Sequence, residues 1–401
     1  MGSCVARQPI FTKKLNIYGY ELLYRSAASS SSFSNDNEDQ ASSETIINSF
    51  HQTGIENVTG GKRAFVNFTQ KLLLDGVATI LPSRILVVEL LENIRPSDIV
   101  LDACRKLRER GYQIALDDFV LEPEFFPLLQ VADIVKIDFL ESPMNQIERF
   151  AYALSKTPTI LLAEKVETQE IFDKASDMGF SLFQGYFFAK PVIVTGAKAI
   201  TPLKTSCMQL IRLALSPNIN FSRISDIIKH DVALSYRLLR VVNSAFFGLR
   251  YTVKNIRQAL AILGMDEVKK WITLISLAEI KDDKPDELIR ISLIRAKMME
   301  VIGPVANINK LDDLFLIGLM SLMDAIMDME MQEIVAQTSL SPNIAGPLMT
   351  GEGSYGDLLS LVIHYEKSEW DEALALAEQY GIPDDVLSKA YIEAIEWSRN
   401  I

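Results

Sequence analysis

The chain has 401 residues, of which 48% are hydrophobic and 23% charged, with a formal net charge of −12. It is long enough for two domains and apolar enough for ordinary globular cores. The negative balance argues against general adhesion to nucleic acid or anionic membrane, and the longest apolar runs, such as LFLIGLM at 314–320, fall far short of the roughly 20 residues a membrane span needs. Cys4, Cys104 and Cys207 have neither metal-binding nor redox spacing, which fits reduced thiols, and no secretion signal opens the chain, so a cytoplasmic protein is expected.

The opening CVARQPIFTKKLNIYGYELLYR reads as two short strands joined by a polar turn around Asn16. The segment 26–45 is rich in Ser, Asn and Asp and low in apolar residues, so it is predicted to be a flexible surface loop. A helix is expected over 44–53. From 63 to 191 strand and helix alternate. The amphipathic segments 98–111 and 167–179 end on Gly111 and Gly179, a favoured residue just past a helix end. Alternation of this kind implies parallel β-α-β units. Seven strands can be counted, and a closed barrel needs an eighth. Beyond about residue 195 helical periodicity takes over, with helices expected at 202–215, 222–230, 232–244, 255–263, 265–277, 285–303, 311–326, 356–366, 369–380 and 383–399. The chain is therefore divided into an α/β barrel domain over 1–195 and an all-helical domain over 200–401.

Six barrel stretches run as an apolar strand and stop on a polar group: FVNFT (Asn67), ILVVELLE (Glu89, Glu92), IALDDF (Asp117, Asp118), DIVKID (Lys136, Asp138), ILLAEKVE (Glu164, Glu167) and LFQGYFFAKP (Gln184). A parallel barrel gathers its chemistry at the C-terminal ends of its strands. With Glu21 these groups form an acidic mouth around one lysine. Hard divalent cations such as Mg²⁺ take carboxylate and amide oxygens together with substrate phosphate oxygens, and two metals about 4 Å apart suit phosphodiester hydrolysis. Asp117-Asp118 at a strand end is a plausible bridge if the backbone turns there.

The run ELLYR at 21–25 resembles the signature of EAL domains, the cyclic-di-GMP phosphodiesterases, which are TIM-like β/α barrels. The resemblance continues through VNFT, VVELLE, LRERGYQIALDDF, ADIVKID, AEKVET and QGYFFAKP, over about 20–191. It implies that Glu21, Asn67, Glu89, Asp117 and Asp118 hold Mg²⁺ or Mn²⁺. It further implies that Lys136 and Glu164 handle the attacking water, that Glu167 and Gln184 complete the site, and that Arg25 meets substrate phosphate. Glu92 matches the glutamate that anchors the loop after the paired aspartates. That loop departs from the family form DDFGTGYSS: here it is DDFVLEPEFFPLL, about two residues short, and the Ser-rich segment replaces the sequence usual after the signature arginine. These departures imply weak or absent hydrolysis, because ligands without their supporting residues are held too loosely. The alternative is an active phosphodiesterase regulated by the helical domain.

The run DIIKHDVALSYRLLRVVNSAFFG, followed by IRQALAILGMDEVKKW, resembles HDOD domains, helical relatives of HD-type metal phosphohydrolases, over roughly 203–395. Where such enzymes carry adjacent His and Asp, this chain has Ser321 and Leu322, neither a useful ligand for a hydrolytic metal. No cofactor is expected in this domain, and a protein partner is. Met320, Met323, Met327, Met329 and Met331 are read as core filling, with a peptide groove as the alternative. The 221–271 stretch holds nine Lys and Arg against four Asp and Glu. It is read as a solvated face rather than a nucleic-acid surface. The oligomeric state is left open, since EAL barrels pair through the region altered here.

Overall fold

A computed structural model describes residues 4–25, 54–119, 122–190, 210–215, 221–230, 238–239, 242, 253, 255–280, 284–338 and 340–399. The Ser-rich loop expected at 26–45, the helix expected at 44–53, most of the helix expected at 232–244 and Cys207 lie outside them.

Eight strands close into one barrel in sequential order. They are β1 (Cys4–Thr12), β2 (Ile17–Arg25), β3 (Arg63–Phe68), β4 (Leu86–Leu90), β5 (Gln113–Leu116), β6 (Ile134–Asp138), β7 (Ile160–Glu164) and β8 (Leu182–Gln184). The eighth strand is the other arm of the N-terminal hairpin. β1 pairs antiparallel with β2, Gln8 opposite Glu21, and antiparallel with β8, Ile10 opposite Gln184. The remaining pairings are parallel. The hairpin turns through Leu15 at φ 57, where the Leu15 amide donates to the Thr12 carbonyl at 2.8 Å.

Ile10, Phe65, Val87, Ala115, Ile134, Leu162 and Leu182 form a buried apolar layer across the barrel interior. Alternate strand residues share a face, so the next inward layer lies two residues on. That step gives Asn67, Glu89, Asp117, Lys136, Glu164 and Gln184, and on the reversed β1 it gives Gln8. On β2 the residue below Glu21 is Gly19, where a Cβ would meet the Arg63 carbonyl at 2.7 Å. One hydrophobic floor thus carries one polar ring.

Helices surround the barrel: α1 (Ile55–Thr59), α2 (Gln70–Leu74), α3 (Asp98–Glu109), α4 (Phe126–Leu129), α5 (Met144–Leu154) and α6 (Gln169–Asp177). The side chains of Ser97 and Thr168 cap α3 and α6, accepting from the amides of Val100 and Ile171. Gly111 and Gly179 then leave these helices at φ 87 and 99, a region closed to most side chains.

The later helices are α7 (Phe221–His230), α8 (Ile256–Ile280), α9 (Asp286–Ile302), α10 (Leu311–Met320), α11 (Met323–Met327), α12 (Met331–Gln337), α13 (Pro342–Thr350), α14 (Gly353–Glu366), α15 (Trp370–Gln379) and α16 (Asp384–Ser398). Gly264, at φ 78 and ψ 174, breaks α8 between the two helices expected there. The expected 311–326 helix is divided into α10 and α11. α12 and α13 were not anticipated; in α13 Pro342 and Pro347 interrupt the helical pattern.

The chain divides into two compact units, one of residues 1–190 with 361–401 and the other of 191–360. The last 41 residues, grouped by the sequence with the helical domain, thus cluster with the barrel. The Arg7 amide donates to the Tyr391 hydroxyl at 3.4 Å, and Tyr365 packs edge-on to Trp370 and tilted against Tyr391, both at 5.2 Å. In the second unit Leu210, Ile224, Ile228, Leu260 and Trp271 belong to one core. There α10 approaches α9 so closely that a Cβ on Gly318 would lie 2.5 Å from the Ala296 amide nitrogen. Met320, Met323 and Met327 are buried core residues of this unit.

Candidate active site

Lys136 stands at the centre of the polar ring, 1% exposed. Its Nζ lies 2.8 Å from Asp117 Oδ1, 2.8 Å from Glu164 Oε1 and 3.2 Å from Glu21 Oε2, and it also contacts Glu89 Oε1. An ammonium has three hydrogens, so four carboxylates share fewer donors than they could use. Gln184 Nε2 adds a bond to Glu21 Oε2 at 2.7 Å and another to Gln8 Oε1 at 2.9 Å, and Asn67 Nδ2 reaches Glu21 Oε1 at 3.5 Å.

The negative charge is in excess, and the ionisation equilibria show it. Burial pushes Glu164 up to about 8, helped by Asp117 and Glu21 and opposed by Lys136. Burial, and then Glu21, raises Glu89 well above the usual carboxylate range. Burial alone would lower Lys136, but Glu164, Glu21, Glu89 and Asp117 outweigh it and raise the ammonium instead. Asp118 is pushed up to about 6 by burial and by Asp117. Asp118 has φ 39, and this left-handed turn lets two successive aspartates face the mouth. Oxygens of Asp117, Asp118 and Glu164 lie within 4.8 Å of one another.

Four buried acceptors here have no hydrogen-bond partner: Asn67 Oδ1, Glu89 Oε2, Glu164 Oε2 and Gln184 Oε1. Leaving such atoms unsatisfied costs about 1–3 kcal/mol each, and a bound cation relieves that. An all-oxygen, carboxylate-rich donor set suits Mg²⁺ or Mn²⁺, so these residues fit a divalent metal.

Other expected residues lie further out. Arg25 ends β2, half-buried, and its Nη1 meets Asp371 Oδ1 at 2.9 Å. Glu167 is exposed and pairs with Lys190 at 3.2 Å. Glu92 is exposed at the rim. Arg95 also reaches the altered loop, pairing with Glu124 at 2.8 Å and lying over the Phe125 ring. Asp138, one layer above Lys136, accepts from the amides of Leu140 and Glu141 and pairs with Lys165 at 2.5 Å, so it shapes a loop. Gln8 was missed by sequence reasoning. Its signal was positional: it faces Glu21 once β1 runs antiparallel.

Residues 4–191 match the EAL domain family and residues 200–340 the HDOD domain family. The chain is 35% identical over 405 residues to the YuxH protein of Bacillus subtilis, covering 99% of this chain and 98% of that one. It is 33% identical over 400 residues to the cyclic di-GMP phosphodiesterase CdgJ of Vibrio cholerae, covering 99% and 92%. The chain belongs to the EAL–HDOD proteins. Among solved structures, the Klebsiella pneumoniae BlrP1 complex with calcium and cyclic-di-GMP is 20% identical, with a TM-score of 0.40, over 48% of this chain and 56% of that one.

In the HDOD part of this EAL–HDOD chain, Ser321 Oγ accepts from Arg295 Nη1 at 3.2 Å and donates to the Gly318 carbonyl at 2.8 Å, while Leu322 is buried. A buried guanidinium therefore lies beside the position where an HD hydrolase would carry its His-Asp pair. His364 Nδ1 lies 2.6 Å from Glu369 Oε2. No described helix is long and apolar enough to cross a membrane.

Proposed function

We propose that the protein is a cytoplasmic cyclic-di-GMP signalling protein. Its EAL barrel binds the dinucleotide with Mg²⁺ or Mn²⁺ and hydrolyses it slowly, and its HDOD domain holds a protein partner without metal chemistry. The observation that carries this reading is the ring of Glu21, Asn67, Glu89, Asp117, Lys136, Glu164 and Gln184 with its unpaired buried oxygens.

Glu21, Asn67, Glu89, Asp117 and Asp118 would hold the divalent ions, which when bound supply positive charge to the phosphate and acidify a water. Lys136 orients the attacking water. Glu164 takes its proton through Oε2, the oxygen without a partner. Water adds to phosphorus as the bond to the ribose oxygen breaks, opening the ring to a linear dinucleotide. Arg25 receives a phosphate in its fork of donors. Gln184 fixes Glu21, and Glu167 with Lys190 positions the segment after β8. Slow turnover follows from the loop after Asp118, which lacks the glycines and serines usual in the family and is tethered through Arg95.

Full phosphodiesterase activity regulated by the HDOD domain is the second reading, favoured by the complete ring and by the activity named for the Vibrio relative. Cyclic-di-GMP hydrolysis in Mg²⁺ or Mn²⁺, beside calorimetric binding in Ca²⁺, separates the two. Slow metal-dependent turnover, reduced about 100-fold or more in Glu21→Ala or Glu164→Gln, is the expected result. Fast turnover selects the second reading. Activity equal in wild type and both variants overturns both.

A further inference from the structure

The C-terminal segment ties itself to the barrel mouth. α14 ends at Glu366, the chain turns through Ser368 at φ 63, and α15 begins at Trp370. Three points at this turn and the start of α15 meet three parts of the barrel. The Tyr186 hydroxyl, just past β8, donates to the Glu366 carbonyl at 3.3 Å. Gln8 Nε2 on β1 donates to the Lys367 carbonyl at 3.2 Å. Arg25 Nη1 on β2 pairs with Asp371 Oδ1 at 2.9 Å. Gln8 Oε1 in turn accepts from Gln184 Nε2, which also holds Glu21. A continuous chain of hydrogen bonds therefore runs from the turn to the ring.

Arg25 has the same strand parity as Glu21, so it projects over the same mouth, four residues further along β2. A carboxylate and a phosphate diester offer a guanidinium the same thing: anionic oxygens for its paired donors. Asp371 lies in the first turn of α15, where the exposed amides of the helix favour an acid. The carboxylate is thus held at the rim by its own helix, whether or not Arg25 is engaged. Its side chain is 90% exposed against 23% for Arg25, so the pair is open to exchange with an anion from solvent.

We propose that Asp371 is an affinity-determining residue: it occupies the phosphate-facing end of Arg25 and competes there with the phosphate diester of a cyclic dinucleotide. This rests on the reading of the barrel as a cyclic-di-GMP site. Binding exchanges one ion pair for another, so the contribution of Arg25 to affinity is reduced by its contact with Asp371.

The test is calorimetric titration of cyclic-di-GMP in Ca²⁺ with the full chain as wild type, Asp371→Asn, Glu372→Gln and Arg25→Ala. Glu372→Gln removes an equal charge from the same helical turn and serves as the control. Asp371→Asn is expected to tighten binding about two- to fivefold, the size typical of an exposed ion pair. The gain should shrink at high salt, exceed that of Glu372→Gln, and vanish when Arg25→Ala is also present. Binding only by Asp371→Asn would support the proposal most strongly. Wild-type binding that Asp371→Asn leaves unchanged, or changes no more than Glu372→Gln, overturns this proposal and leaves the cyclic-di-GMP site standing. No binding by either wild type or Asp371→Asn overturns both.

Discussion

Each unit contains a lysine ringed by acids, and the two rings are not alike. Lys136 in the barrel meets Glu21, Glu89, Asp117 and Glu164, whose side chains are 18% exposed or less. Lys270 in the helical unit meets Glu300 at 2.8 Å, Asp312 at 2.9 Å and Glu267 at 3.5 Å, with those acids 21–51% exposed. Lys297 also neutralises Glu300 at 3.1 Å. Water solvates the second cluster, so its acids need no further cation. The first leaves Glu89 and Glu164 with a bare oxygen each. A lysine among carboxylates is an ordinary surface network until burial removes the water; only then does the excess negative charge become a demand for metal.

The largest effect that would break this comparison is on folding. Lys136→Met leaves four carboxylates, three of them buried, without their cation and should cost about 3–5 kcal/mol, read as a lowered denaturant midpoint in the presence of a chelator. Added Mn²⁺ should recover part of the loss; an unchanged midpoint would mean that the acids are not charged in the native state. Next, Gly318→Ala probes the packing of α9 on α10, where the new methyl meets backbone. It should cost about 1–3 kcal/mol, read by the same denaturation, with metal binding by the barrel unchanged. The smallest effect sharpens the contrast directly. Lys270 is itself buried, but its acids reach water, so Lys270→Met should cost clearly less than Lys136→Met, and Mn²⁺ should not alter that cost. A loss comparable to that of Lys136→Met would erase the distinction between the two rings.

The barrel site was legible because strand ends and side-chain parity carry it. On β3 to β8 each polar ring residue stands two residues beyond an apolar floor residue, a pattern visible in FVNF, VVEL and ILLAE. The turn at Asp118 was anticipated only as a condition on two adjacent acids facing one site. The second pairing of the first strand was not legible. Two strands joined by a short turn imply an antiparallel hairpin, but nothing local in CVARQPIFT said that its other edge would close the barrel against β8, and Gln8 went unnoticed with it. The allegiance of the last helices was hidden for a related reason. Tyr365, Trp370 and Tyr391 mark helix faces that need covering, but periodicity does not say which surface covers them. The tether from Arg95 to Glu124 also depends on a loop conformation that local pattern does not fix.

Because residues 361–401 return to the barrel, the helical unit is an insertion within the barrel unit rather than an appendage after it. An appendage is freed by one break in the chain; an insertion is not. Fragments 1–190 and 191–401 produced as separate chains should co-migrate under native conditions, held by the packing of Tyr365 and Tyr391 against β1. Conversely, a chain stopped at residue 190 would keep every residue of the polar ring and lose the helices that cover one side of its wall.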